Sequence, residues 1–280
     1  LDTNLSGIIS LLALDESPAE GYPNLTCGLW QGLVLCQSLS DAQIKATLWC
    51  VTQSAVSVHA EDTLHHPLQA TTWGLGRVMS LEYAQGFGGL IDLPMTLDSQ
   101  VCSEFVGSLG ACDGEDQVAI RSGGRYVRRM VRKKVGPVPP KWECSGTMLL
   151  TGGLGGLGKE VARWLVSVYG ITDLILTSRR GMAAQGAKEF VQELGELGAH
   201  AQVVACDLTS EDSIQAALAV ATEDSPIKGI IHLAGIIDDG ILNTLDASRF
   251  DKVLEPKVTG AHNLHRLTQE LELDHFILFS

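Results

Sequence analysis

The sequence has no apolar run long enough to cross a membrane, and its basic residues are few beside its acidic ones. Lysine and arginine total 20 against 33 aspartates and glutamates, which gives a formal net charge of −13. A surface of this sign repels phosphate backbones and anionic lipids, so we expect neither a nucleic acid nor a membrane as a partner. The first residues also lack a methionine and a basic leader, and we therefore expect the sequence to be cut from a longer polypeptide.

Paired cysteines and metal-binding spacings are missing as well. The seven cysteines are odd in number and scattered, without a C-x-x-C motif. This usage is typical of a reducing compartment, so we predict a cytoplasmic protein with neither a disulfide framework nor a zinc site. Among the eight histidines, His262 and His265 share a helix face but have no carboxylate cluster beside them, and we predict no metal.

A proline-containing stretch divides the sequence near its middle. Residues 133–146 hold three prolines and show neither helical nor alternating periodicity, which is typical of a linker. We place a first domain at residues 1–135, the linker at 136–146 and a second domain at 147–280. A chain of 280 residues with 45% hydrophobic content can bury a core in each.

The first half alternates apolar segments with helix-like ones, which predicts an α/β fold. We predict strands at 47–52, 89–93, 117–121 and 125–132 and a helix at 69–83. The last two strands flank a glycine-bearing turn and form a hairpin. Gly74 and Gly76 are preceded by a polar, helix-like stretch rather than by a strand, so we assign no nucleotide site to them.

The second half alternates strands and helices more regularly. Strands are predicted near 147–151, 173–178, 202–206, 229–234 and 275–280, and helices near 155–169, 183–198, 210–222 and 246–271. Strands separated by helices of this length form parallel βαβ units, so we predict a doubly wound, Rossmann-like sheet. Thr209 and Asp212 form a capping-box pattern that places the start of the third helix, and Pro256 should divide the fourth.

Eight residues at the start of the second half carry the strongest functional signal. They are Thr151, Gly152, Gly153, Leu154, Gly155, Gly156, Leu157 and Gly158. An apolar run precedes them and helix-like apolar spacing follows, so the glycines stand where a strand passes to a helix N-terminus. Free N–H groups and the helix dipole favour a pyrophosphate there. A tight turn without a ligand is the alternative interpretation.

The choice of cofactor is indicated at the end of the next strand. Ser178, Arg179 and Arg180 stand where an NAD-binding protein usually has an acidic residue that bonds the ribose hydroxyl. Guanidinium groups match a phosphate dianion instead, so the sequence predicts NADP(H). The alternative is a solvated basic loop, which the acidic balance of the whole chain disfavours.

Two further strand ends point to the same crevice. The third strand closes with Cys206, Asp207 and Leu208. The Asp207 carboxylate would accept a hydrogen bond from the adenine amino group and Leu208 would cover the ring; a helix-capping aspartate is the alternative. Ala234 and Gly235 follow the fourth strand, where small residues let the backbone approach a cofactor closely. His232, just before them, fits a core histidine better than a catalyst.

These motifs together resemble the ketoreductase domain of modular polyketide synthases, in the short-chain dehydrogenase/reductase superfamily. The glycine turn, residues 178–181, the two strand ends and residues 255–260 follow the family's pattern in order, and residues 10–16 and 73–77 resemble its structural subdomain. The resemblance implies a degenerate Rossmann-like structural subdomain that binds no cofactor, followed by an NADP-binding catalytic subdomain. It also implies NADPH-dependent reduction of a β-ketoacyl chain held on the phosphopantetheine arm of an acyl carrier protein, beside other synthase domains in one polypeptide.

The resemblance also gives Lys257 a catalytic role. In the family, a lysine in this setting joins a serine, a tyrosine and an asparagine, and its ammonium lowers the pKa of the tyrosine that protonates the substrate. Without the resemblance, Lys257 would be interpreted as a solvated helix residue. The sequence stops at Ser280, which matches the first serine of the family's Ser-Ser pair. We therefore expect the intact domain to be the enzyme and these 280 residues alone to be inactive.

Ile237, Asp238 and Asp239 resemble the marker of ketoreductases that form D-configured alcohols, and Asp239 is the informative position. A polar loop before a helix is the alternative interpretation. Two other functions stay open at this point: a noncatalytic ketoreductase-like domain kept for architecture, and the β-ketoacyl reductase of a fatty-acid synthase.

Overall fold

Two α/β units, each with its own sheet, make up the chain in the computed structural model, which describes residues 5–111, 113–134, 136 and 146–279. The first unit comprises the described residues up to Lys133 together with Asp239–Asp251, and the second comprises the rest. Most of the predicted linker and Ser280 lie outside the described residues.

The first unit is built on a five-stranded sheet. Its elements are β1 (Gly7–Ser10), β2 (Pro18–Ala19), β3 (Tyr22–Thr26), α1 (Cys27–Asp41), β4 (Thr47–Gln53), α2 (Ala70–Glu82), β5 (Phe87–Leu93), α3 (Ser99–Gly110), β6 (Gln117–Arg121) and β7 (Gly124–Val127). The order β1-β4-β5-β6-β7 is parallel except for the β6–β7 hairpin, and β2 pairs only with β3. The predicted strand at 125–132 is too long, because Val127 pairs with Val118 near the start of β6 and few partner residues lie beyond it.

Helices on both faces explain why β4 and β5 are largely apolar. Ile91 packs with Val101 of α3, whereas its neighbour Leu90 packs with Trp73 of α2. Successive side chains of a strand point to opposite faces of the sheet. The first unit therefore has a core on each face, as parallel sheets need.

The second unit contains the other five strands in a single parallel sheet. Its elements are β8 (Thr147–Thr151), α4 (Gly156–Tyr169), β9 (Asp173–Ser178), α5 (Ala187–Glu196), β10 (His200–Ala205), α6 (Glu211–Leu218), β11 (Ile227–His232), the end of α7 (Ala247–Lys257), α8 (Thr259–Leu267) and β12 (His275–Leu278). The order β10-β9-β8-β11-β12 places the first strand of the unit at the centre, with the chain winding outward in both directions. This is the doubly wound order, and it confirms the predicted fold.

The start of α6 corrects one prediction. Ser210 is the N-cap, and its hydroxyl oxygen accepts a hydrogen bond from the Ser213 N–H at 3.3 Å. Thr209 instead donates its hydroxyl to Asp207 at 2.8 Å. The predicted capping box of Thr209 and Asp212 is therefore wrong, because the adjacent serine takes the capping position. The predicted division at Pro256 is confirmed, since α7 ends one residue beyond it.

A segment from the second half of the sequence belongs to the first unit. Leu242 is fully buried there, and its N–H donates to Glu82 of α2 at 2.8 Å. Gln37 of α1 donates to the carbonyl oxygens of Leu242 and Leu245 at 2.8 and 2.9 Å. The chain thus leaves the second unit at Asp239–Asp251 and returns to it through α7.

Within the described ranges, no helix is long and apolar enough to cross a membrane. The same residues contain no cluster of three or more histidine, cysteine, aspartate or glutamate side chains that would hold a metal ion.

Candidate functional site

The glycine turn connects the carboxyl end of β8 to the N-terminus of α4. Gly152 has φ +67°, and a methyl group on it would lie 2.9 Å from the Ala234 backbone. A methyl group on Gly158 would lie 2.3 Å from the Gly152 carbonyl oxygen, so α4 packs directly against the turn. The N-cap is Gly155, which has no side chain to accept from the first-turn N–H groups. Those donors are available to an anion.

A cavity of about 710 Å³ lies beyond the carboxyl ends of β8, β9, β10 and β11, wholly within the second unit. Most of the residues predicted to bind cofactor line it: Gly152, Leu154, Gly155, Ser178, Arg179, Arg180, Cys206, Asp207, Leu208, Ala234 and Gly235. The others, which do not line it, are Thr151, Gly153, Gly156, Leu157 and Gly158. Thr151 at the end of β8, Gly153 in the turn and Gly158 in α4 are buried, whereas Gly156 and Leu157 in the first turn of α4 are exposed.

Ser178 and the two arginines form the basic end of this cavity. The Ser178 Oγ atom is buried and has no hydrogen-bond partner. Arg179 and Arg180 are exposed, and neither guanidinium has a carboxylate partner among the described residues. A buried polar atom without a partner costs free energy unless a ligand satisfies it. The donor set here fits a phosphate group.

Asp207 organises the loop that leads into α6. Its carboxylate accepts from the Thr209 N–H at 3.0 Å and from the Thr209 hydroxyl, while its own N–H donates to Ser213 at 3.0 Å. The alternative interpretation, a helix-capping aspartate, is wrong because Ser210 is the N-cap. Burial raises the pKa of the neighbouring Cys206 thiol, so this side chain stays neutral and forms part of the cavity wall.

Lys257 lies at the edge of the cavity without lining it. Its Nζ atom donates to the Phe279 carbonyl oxygen at 2.5 Å, and burial lowers its pKa. A methyl group on Gly235 would lie 2.8 Å from Lys257 Cε and 3.2 Å from Nζ, so the lysine stem packs on this glycine. Lys257 therefore packs against a residue of the cavity wall.

Asp239 does not line the cavity. It is exposed in the segment that belongs to the first unit, and its carbonyl oxygen accepts from Arg249 at 2.7 Å. The preceding Asp238 lies in the second unit, with a carboxylate oxygen 3.6 Å from Lys252 Nζ.

Sequence reasoning missed several residues of the cavity wall: Thr177, Ala184, Gln185, Thr209, Leu233, Ile236, Glu255 and Pro256. Thr177, Leu233 and Ile236 adjoin assigned residues, and that adjacency was the available signal. Glu255 and Pro256 belong to residues 255–260, which carry part of the family resemblance, but no spacing shows that the end of α7 reaches the cavity.

Two family models match the chain. The KR domain model matches residues 146–280, and the model of the Rossmann fold domain of the polyketide synthase extender module SpnB matches residues 29–130. The chain belongs to the ketoreductase family of modular polyketide synthases. This ketoreductase chain is 41% identical to polyketide synthase GfsA of Streptomyces halstedii, over 99% of the chain and 4% of GfsA. It is 40% identical to erythronolide synthase EryA3 of Saccharopolyspora erythraea, over 96% of the chain and 8% of EryA3.

Solved structures of ketoreductases share the fold of both units. The structure of A-type ketoreductases from a modular polyketide synthase matches with a TM-score of 0.92 and 40% identity, over 100% of this chain and 60% of that one. A C2-type ketoreductase from a modular polyketide synthase matches with a TM-score of 0.86 and 39% identity, over 96% and 58%. The predicted family is confirmed, and ketoreductase domains of this family generally use a nicotinamide cofactor. The chain spans about 60% of the solved ketoreductases and a small part of the curated synthases.

Proposed function

We propose that the chain forms the NADPH-binding part of a ketoreductase that reduces a β-ketoacyl thioester to a 3-hydroxyacyl thioester. The observation that carries this proposal is the basic end of the cavity, where the unpartnered Ser178 hydroxyl adjoins Arg179 and Arg180. A ribose 2′-phosphate would supply acceptor oxygens to all three side chains. An unphosphorylated ribose would leave two guanidinium groups without a counter-ion in a chain of net charge −13.

NADPH bound in this cavity would supply the hydride. The first-turn N–H groups of α4 would hold the pyrophosphate, because the N-cap Gly155 offers them no competing acceptor. Ala234 and Gly235 also line the cavity, and residues this small let a cofactor approach the backbone closely. Lys257 keeps an ammonium group beside Gly235, oriented by the Phe279 carbonyl. A positive charge there favours ionisation of a neighbouring phenol, which is the role of this lysine in the family.

The relatives support a proposal for the substrate and the partner. GfsA and EryA3 are polyketide synthases of which this chain matches 4% and 8%. We therefore infer a β-ketoacyl chain held on an acyl carrier protein, with other synthase domains in the same polypeptide. We assign a D-configured alcohol from Asp239, because residues 237–239 resemble the marker of ketoreductases that form such alcohols. Chiral analysis of the alcohol tests this assignment, and a pure L product would refute it.

Titration of the 280-residue chain with NADPH and NADH tests the cofactor. We expect tighter binding of NADPH, and we expect Arg179→Ala to weaken NADPH binding about 10- to 100-fold, the value of a hydrogen bond between charged groups. NADH binding should change much less. Arg132→Ala is the matched control, since it removes the same charge from an exposed site in the first unit. Equal affinity for the two cofactors, or no binding of either, would refute the proposal.

Lys257→Ala tests the catalytic assignment in a polypeptide that contains these residues. We expect kcat to fall about 100- to 10,000-fold, the contribution of general acid–base catalysis, with a much smaller change in NADPH affinity. Lys188→Ala on α5 is the control. Equal turnover in wild type and Lys257→Ala would remove this lysine from the mechanism. The 280-residue chain alone is expected to bind NADPH without oxidising it, and the same assay measures that.

A further inference from the structure

His232 lies at the carboxyl end of β11, between the glycine turn and the end of α7. It is 1% exposed, and both ring nitrogens have partners within the second unit. Nδ1 lies 2.7 Å from Thr151 Oγ1, and Nε2 lies 3.0 Å from the Pro256 carbonyl oxygen. The three residues come from β8, β11 and α7, so the ring connects three elements.

The chemistry of these partners determines the tautomer. A carbonyl oxygen can only accept, so Nε2 must carry a proton and donate it to Pro256. In the neutral ring Nδ1 is then an acceptor, and the Thr151 hydroxyl donates to it. The Ala234 N–H in turn donates to the Thr151 hydroxyl oxygen, with 3.4 Å between nitrogen and oxygen. One directed chain of hydrogen bonds therefore runs from Ala234 through Thr151 and His232 to Pro256.

The Pro256 carbonyl is a group that the local helix geometry leaves in need of a donor. The last carbonyl groups of a helix lack intrahelical partners, and α7 ends at Lys257 while α8 begins at Thr259. The imidazole satisfies this carbonyl from the core side. A methyl group on Gly260 would lie 3.8 Å from His232 Cε1, so α8 packs against the same ring.

We propose that His232 is a positioning residue for Lys257. In its neutral form with the proton on Nε2, it fixes the backbone of the residue that directly precedes Lys257. It does so from the strand end that also supports the glycine turn. The position of the ammonium group beside Gly235 is thereby tied to the position of the phosphate-binding turn. The importance of that position rests on the proposed function, whereas the hydrogen-bond arrangement does not.

Nitrogen NMR of the histidine rings tests the arrangement without any cofactor. In the 280-residue chain near neutral pH, we expect one neutral imidazole with its proton on Nε2 and with that proton protected from exchange by burial. The spectrum of His232→Ala assigns the signal by its loss. A proton on Nδ1, or a doubly protonated ring, would overturn the proposal even if the chain binds NADPH as expected.

A pair of substitutions separates the two hydrogen bonds. A glutamine at position 232 places its amide nitrogen near the site of Nε2 and keeps the donor to Pro256. An asparagine places its oxygen near Nδ1 and keeps only the acceptor for Thr151. The readout is the rate at which an amine-specific reagent labels Lys257, measured by mass spectrometry on the 280-residue chain.

We expect His232→Gln to label Lys257 near the wild-type rate and His232→Asn about 2- to 10-fold faster, the effect of one net hydrogen bond. Labelling of Lys188 serves as the internal reference. Equal rates in the two variants would overturn the positioning role. In a polypeptide that turns over substrate, the kcat of the two variants should separate in the same order. Absence of turnover in wild type would instead count against the proposed function.

Discussion

Each unit has its own, largely parallel sheet, and the two sheets differ at the carboxyl ends of their strands. In the second unit four strands end around an open cavity, and Ser178 lacks a partner there. In the first unit Asp92, fully buried near the end of β5, accepts from the Thr52 hydroxyl at 2.6 Å, the Ala55 N–H at 2.9 Å and Arg121 at 2.8 Å. The parallel sheet places polar groups at the carboxyl ends of its strands, and a few residues determine whether a ligand or the protein itself provides their hydrogen-bond partners. We call the cavity end of the second unit, around Ser178, the open edge, and the end of the first unit around Asp92 the filled edge.

The helices that follow comparable strands, α2 after β4 and α4 after β8, also differ between the units. In the first unit Trp73 of α2 donates its indole N–H to Thr52 at 3.0 Å and extends the polar network. Gly74 and Gly76 lie inside α2, where a methyl group on Gly76 would come within 2.7 Å of Leu90. Gly76 thus allows helix-to-sheet packing, and Gly74 is exposed with nothing within 4 Å of an added methyl group. The glycines before α4 instead leave N–H groups open to an anion.

Asp92→Ala removes the central acceptor of the filled edge and should have the largest effect on stability. The substitution removes the buried charge partner of Arg121, whose side chain is 12% exposed, and leaves the ion pair with Asp62. Breaking a buried ion pair costs about 3–5 kcal/mol, and we expect a loss of this order in the free energy of unfolding of the first unit. Urea unfolding followed by tryptophan fluorescence measures it. Asp113→Ala, which removes an exposed pair with Arg125, should change stability little; equal losses would contradict the account.

Gly158→Ala perturbs the glycine turn at the open edge. The added methyl group would lie 2.3 Å from the Gly152 carbonyl, so the turn must move. We expect a stability loss of about 1–3 kcal/mol, typical of overpacking, together with loss of NADPH binding. Gly195→Ala in α5 is the matched control, since nothing lies within 4 Å of its new methyl group. Wild-type NADPH affinity in Gly158→Ala would show that the turn does not hold the cofactor.

The pH dependence of stability should show a smaller effect that belongs to the second unit. Burial lowers the pKa of His232 from its ordinary value of 6.5; the bond to Pro256 opposes the shift and the charge of Lys257 adds to it. Below pH 6.5 the unfolded chain therefore takes up a proton that the folded chain refuses. Stability should be full above pH 6.5 and fall as the pH drops towards the lowered pKa, by no more than about 1.4 kcal/mol per pH unit. His232→Gln should flatten this dependence between pH 5 and 6.5; an unchanged slope would contradict it.

The elements of the second unit could be predicted from sequence because each signal is local. The strand β8 and the helix α4 adjoin the glycine turn along the chain, and the two arginines directly follow β9. The cap of α6 could not, because Thr209 and Ser210 are both suitable capping residues and only the path of the chain selects between them.

Contacts that join distant parts of the chain had no sequence signal. His232 contacts Thr151 and Pro256, 81 and 24 residues away. Asp92 is one acidic residue in an apolar strand, and its meeting with Arg121 depends on the strand order of the first unit. Pattern reasoning therefore located the open edge, where the motifs are local, and missed the filled one.

A crystal structure of the 280-residue chain with NADP⁺ bound tests the account most directly. We predict the 2′-phosphate within hydrogen-bond distance of Ser178 and Arg179, and the pyrophosphate against the first turn of α4. A cofactor bound at the edge occupied by Asp92 and Arg121, or one whose phosphate lies away from Arg179, would contradict it.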